Sequence, residues 1–152
     1  MRRSAAAVLA LFVALSVLTG AECFAQRGRG RGGGGWGAGS VYNRMYDVRT
    51  VETVSGEVTS IDQFVPVQGL YPGIHIMLQT ATESVSVHLG PAWFLDNQDQ
   101  EVVVGDEVVV TGSRIPYQGA PAIVAATVQR GDEILQLRDA RGIPVWSGWR
   151  RW

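Results

Sequence analysis

Ser84 to Leu95, SVSVHLGPAWFL, decides the fold. Its first half alternates, with Val85, Val87 and Leu89 set against Ser84, Ser86 and His88, which is the period of a strand with one buried face. Gly90-Pro91 then interrupts it, and Pro91 to Asn97 predicts a short helix with proline in its first turn. Just upstream, Gly73 to Thr80, GIHIMLQT, alternates too: Ile74, Ile76 and Leu78 on one face, His75, Met77 and Gln79 on the other. The polar Ala81-Thr82-Glu83 between them is short enough for a hairpin turn. If Gln79 lies opposite Ser84, Met77 lies opposite Ser86 and His75 opposite His88.

Further outward the chain remains β-type. Thr50 to Val65, TVETVSGEVTSIDQFV, is rich in β-branched residues and predicts a long strand bent at Gly56. Pro66 to Pro72 is a loop containing Tyr71. Gly105-Asp106 turns into a fourth strand, Glu107 to Arg114; Ile115 to Ala120 is a loop; Pro121 to Gln129 is a fifth strand, and Glu133 to Leu137 a short sixth. The order predicts an all-β chain, a small five-stranded OB-like Greek-key barrel with one short helix between strands 3 and 4. A small sandwich is the alternative, and the glycine bend and the position of the helix favour the barrel.

The 152 residues leave room for one such domain. Met1-Arg2-Arg3, the apolar run Ala5 to Leu18 and Cys23-Phe24-Ala25 read as a signal peptide, residues 1–25, cut after Ala25; an uncleaved membrane anchor is the alternative. Residues 26–40 form a Gly/Arg-rich flexible linker, residues 41–138 the barrel domain, and residues 139–152 a Trp/Arg-containing C-terminal tail, in which Trp146 is the tryptophan expected to be buried. Cys23 is the sole cysteine, so the cleaved chain has no disulfide and depends on its core. The expected location is the periplasm or the exterior.

Every one of the 13 basic residues is arginine. Between Val41 and Gly148 six arginines face thirteen carboxylates, a net charge of −7, whereas both ends are basic. An acidic body repels a phosphate backbone, which argues against nucleic acid as a partner. The Arg-rich ends allow a weak contact with a membrane surface.

SGEV at Ser55 to Val58, VHLGPAWFL at Val87 to Leu95, GDEVVVTGSR at Gly105 to Arg114 and LRDARGIPVWSG at Leu137 to Gly148 resemble small exported bacterial OB-fold-like proteins. They also resemble the C-terminal domain shared by the magnetosome proteins MamS and MamX. The resemblance implies a periplasmic or membrane-associated accessory domain, linked in the magnetosome case to iron-mineral maturation. The haem-attachment motif Cys-x-x-Cys-His of redox-active relatives is absent, which counts against electron transfer.

Two uses of the hairpin face follow. Tyr71, His75, His88, Trp93, Arg114 and Tyr117 are candidates for ligand binding, because strands 2 and 3 and their flanking loops form the usual groove of an OB barrel. His75, Met77 and His88 are candidates for a metal, since imidazole and thioether suit copper and two imidazoles can begin an iron or zinc site. Half-exposed histidines on a bare sheet surface are the plain alternative. No nucleophile elbow or other catalytic constellation is present, so the chain reads as a non-enzymatic module for an exported or membrane-associated protein partner or a small ligand. A metal-handling accessory protein is the alternative, and nucleic-acid or oligosaccharide binding a second.

Overall fold

The computed structural model describes residues 35–148; the expected signal peptide, most of the expected linker and the last four residues lie outside the described residues. Six strands are formed: β1 (Val51–Phe64), β2 (Gly73–Gln79), β3 (Ser84–Pro91), β4 (Glu107–Tyr117), β5 (Ala120–Arg130) and β6 (Glu133–Gln136). One short helix, α1 (Ala92–Leu95), follows β3 directly, with Pro91 as its N-cap. Its place between β3 and β4 is the expected one.

The strands run antiparallel in the order β3-β2-β1-β4-β5-β6. In addition β3 meets β5 in parallel, through Ser86↔Ala122, Val87↔Ile123 and His88↔Val124. The long β1 makes this possible by changing partner: residues Val51 to Glu57 pair with β4, and Glu57 to Phe64 with β2. Gly56 sits at the change, where a Cβ would run into the carbonyl oxygen of Gln79.

The short sixth strand expected beside the five of the barrel forms at Glu133–Gln136 and pairs with β5 from Thr127↔Gln136 to Arg130↔Glu133. One expectation needs correction. Ile115 to Ala120, expected as a loop, is mostly strand: β4 runs to Tyr117 and β5 starts at Ala120. Gln118 and Gly119 take φ of 49° and 80°, so a two-residue turn of the kind that matches strand twist suffices.

The alternating residues supply the core. Val58, Ile76, Leu78, Val85, Val87 and Leu89 meet Val108, Val110, Ile123 and Val128 in one buried cluster, each full burial of such a side chain being favourable by about 1.5–3 kcal/mol. Both ends of the described segment close over it. Trp36, inside the tract read as linker, is 1% exposed, and Trp146, from the tail, is 2% exposed. Trp146 donates its indole N–H to the Trp36 carbonyl at 2.8 Å, and Trp36 donates its own to the Tyr71 carbonyl at 2.7 Å. Gly73 and Gly90 are flat seats for these rings: a Cβ on Gly73 would strike Trp36, and one on Gly90 would strike Trp146. Gly90, which reads as a strand-ender in the sequence, therefore stays in β3 and makes room for the tail.

Candidate functional site: the histidine pair at the meeting of β3 and β5

The hairpin register is the one the alternation predicts, with Gln79↔Ser84, Met77↔Ser86 and His75↔His88. The register then shifts by one between Ile74 and His75, leaving Leu89 as an extra residue on β3. The two imidazoles stand with ring centres 6.1 Å apart and planes at 73°.

Their environments differ from the expected bare surface. His88 is 1% exposed. Tyr42 stacks on it at 6.0 Å, Phe64 lies 4.4 Å away, and Tyr117 meets it edge-on at 4.7 Å. The expectation of a half-exposed His88 is therefore overturned: residues remote in sequence cover the outer face of β3. His75 remains half-buried, with Phe64 at 4.9 Å.

Each ring uses Nδ1 for a hydroxyl. His88 Nδ1 and the Tyr42 hydroxyl are 2.8 Å apart, and His75 Nδ1 and the Ser86 hydroxyl 2.9 Å. The Nε2 of His88 is buried and has no hydrogen-bond partner. Burial, then the neighbouring His75 and Arg138, push His88 down to about 3, so its imidazole is neutral at ordinary pH. Burial likewise pushes the Tyr42 and Tyr117 phenols up.

A cavity of about 310 Å³ opens beside the pair, walled by Phe64, His75, Met77, Ser86, His88 and Tyr117 and bounded across from β3 by the start of β5. The fold thus gathers four of the residues singled out in the sequence: His75, Met77, His88 and Tyr117. The other three stand elsewhere. Tyr71 is half exposed on its loop and offers its carbonyl to Trp36. Trp93, on α1, is half-buried and packs against the core. Arg114 is held between Glu52, at 2.6 Å, and Glu83, and these carboxylates raise its pKa further.

Tyr42 and Phe64 are the site residues that sequence reasoning missed. Phe64 ends β1 three residues after Ile61, hence on the opposite strand face, and that spacing carries no hint of the hairpin it covers. Tyr42 lies 46 residues before its partner, and nothing local marks it. A second cavity, of about 330 Å³, lies among Ile61, Ile74, Leu89, Leu95, Val102 and Leu135. It carries carboxylates at Asp96 and Glu101 but none of the sequence candidates. Among the described residues no three of His, Cys, Asp and Glu come together, so any metal at the histidine pair depends on Met77.

These features define a small β protein with a ligand-sized, imidazole-walled cavity next to the joining strands. The MamS/MamX magnetosome protein family matches residues 50–135, more than half of the chain, and the protein belongs to that family. No curated protein sequence matches it.

Proposed function

We propose that this protein is an exported accessory module of the magnetosome-associated type, with an OB-type closed barrel, that binds a ligand at the β2–β3 face without turning it over. The observation that carries this is the unpartnered, buried Nε2 of His88 behind the cavity wall. A buried polar atom left without a partner costs about 1–3 kcal/mol, and a bound ion or small ligand is one way in which such an atom is satisfied. The ring of pairings, β1–β2–β3 closed by β3–β5 and β5–β4, supports the barrel, and the cavity is lined by His75, Met77, Ser86 and His88 of the two strands that form the usual groove in that architecture.

Binding fits better than catalysis. Ser86 bonds Nδ1 of His75, and among the described residues no carboxylate hydrogen-bonds either imidazole, so nothing orients a base toward a nucleophile. The leader of residues 1–25 supports export to the periplasm, and the −7 body argues against nucleic acid as the ligand. A protein partner on the same face is the second part of this reading.

Labelling the methionine methyl groups tests it. Met77 lines the cavity and Met45 does not. When the low-molecular-mass fraction of an extract of the producing cells is added, the Met77 methyl resonance shifts while Met45 stays in place. If neither resonance moves at any concentration, the cavity is not a ligand site.

A further inference from the structure

The geometry points to His75, Met77 and His88 as a site for monovalent copper, held by the two Nε2 atoms and the Met77 thioether. This rests on the reading of the cavity as a ligand site and gives it a chemical class. Both imidazoles have Nδ1 engaged by a hydroxyl, Ser86 for His75 and Tyr42 for His88. In the tautomer in which each Nδ1 donates to its hydroxyl oxygen, each ring keeps an Nε2 lone pair. Fixing the far nitrogen in this way is how proteins orient imidazole ligands for a metal. Ring centres 6.1 Å apart are within reach of one metal: with bonds of about 2 Å to each nitrogen, two imidazoles that approach almost in line stand about that far apart, and Met77 is then a third, weaker donor from the side.

The donor chemistry selects the ion. Met77 lies two residues from His75, so both side chains leave the same face of β2. Thioether and neutral imidazole are soft or borderline ligands that favour Cu(I), whereas Mg²⁺, Ca²⁺ and Mn²⁺ want oxygen. No carboxylate lines the cavity to balance a second positive charge. Arg138 acts electrostatically on His88 from the core side, which penalises a divalent ion more than a monovalent one. Phe64 and Tyr117, packed against the His88 ring, shield the site from water, and a low-coordinate ion needs no further ligand there.

The test titrates the full purified chain with Cu(I), under anaerobic reducing conditions, against the chromophoric chelator bathocuproine disulfonate. One Cu(I) per chain is expected to leave the chelator. H75A is expected to weaken binding at least tenfold and M77L at least threefold, with circular dichroism unchanged for both. Substitution of His88 endangers the core, so its role is read in the wild type, as a shift of its Nε2 nitrogen resonance on copper addition. No transfer of copper, equal binding by wild type and both variants, or equal binding of Zn²⁺ would each overturn the assignment. The extract experiment separates the two readings: if an extract stripped of metals on a chelating resin still moves Met77, the cavity binds something other than copper and the broader reading stands. If neither the extract nor copper moves it, both fail.

Discussion

His88 and Arg138 are both basic side chains only 1% exposed, and the fold treats them in opposite ways. His88 gives up its charge: burial lowers it to about 3, and it sits neutral among Tyr42, Phe64 and Tyr117. Arg138 keeps its charge. Burial lowers it to about 10, still above neutral pH, and it donates from Nη1 to the carbonyls of Leu89, at 3.1 Å, and Ala125. Its guanidinium carbon stands 5.0 Å over the Trp146 ring. A buried base with an accessible neutral form becomes a chemical site, whereas one without such a form becomes a fastener that binds the tail to β3 and β5.

Removing the fastener produces the largest effect. R138A takes away the donor to two carbonyls and the stem beneath Trp146, and a loss of about 3–5 kcal/mol is expected in urea unfolding. R138M, which keeps the volume and removes the buried charge, is expected to lose less. If R138A unfolds at the wild-type midpoint, the tail is not held through this residue.

Next in size is the pH dependence of His88. Its ordinary value is 6.5 and its folded value is about 3, so the folded state disfavours the proton that the unfolded state accepts. Stability is therefore complete above 6.5 and falls as pH drops toward 3, on the order of 1 kcal/mol per pH unit. Urea midpoints between pH 7 and pH 4 measure this slope, and H88Q is expected to flatten it. The corresponding window for Arg138 opens only above about 10, so between pH 7 and pH 4 its burial penalty is constant.

Y42F is smaller again. It removes the partner of His88 Nδ1 and leaves a second buried ring nitrogen without a bond, which costs about 1–2 kcal/mol in the same unfolding measurement. H75A is the smallest: the half-buried ring is expected to change stability by less than about 0.5 kcal/mol, read as an unchanged melting temperature within a few degrees, while binding at the cavity is lost. A large destabilisation by H75A would erase the contrast between a site residue and a structural one.

Much of the hairpin was legible beforehand. Alternation through Ile74 to Leu78 and Val85 to Leu89, with a short polar turn, sets the cross-strand pairing of His75 with His88, because a one-residue slip would move every apolar side chain to the wrong face. The burial of Trp146 could also be anticipated. The burial of His88 could not, because local alternation assigns a face and does not say what covers it. Tyr42 arrives from the N-terminal segment and Tyr117 from the end of β4, and these contacts arise only when distant segments meet. Arg138 was hidden for the same reason: its partners are Leu89, Ala125 and Trp146, and as a charged residue next to Asp139 it reads locally as solvent-facing.

The sequence by itself determined the number and order of the strands, the hairpin register, the short helix between β3 and β4 and the acidic body, since each follows from period, turn chemistry or counting. The tertiary structure alone decided that the outer face of β3 is covered as well, which of the two histidines loses contact with water, and that Trp36 and Trp146, near the two ends of the described segment, cap the core. These depend on Trp36, Tyr42, Tyr117 and Trp146 converging from separate parts of the chain, and the free energy of such packing belongs to the assembled contacts and to no local stretch of residues.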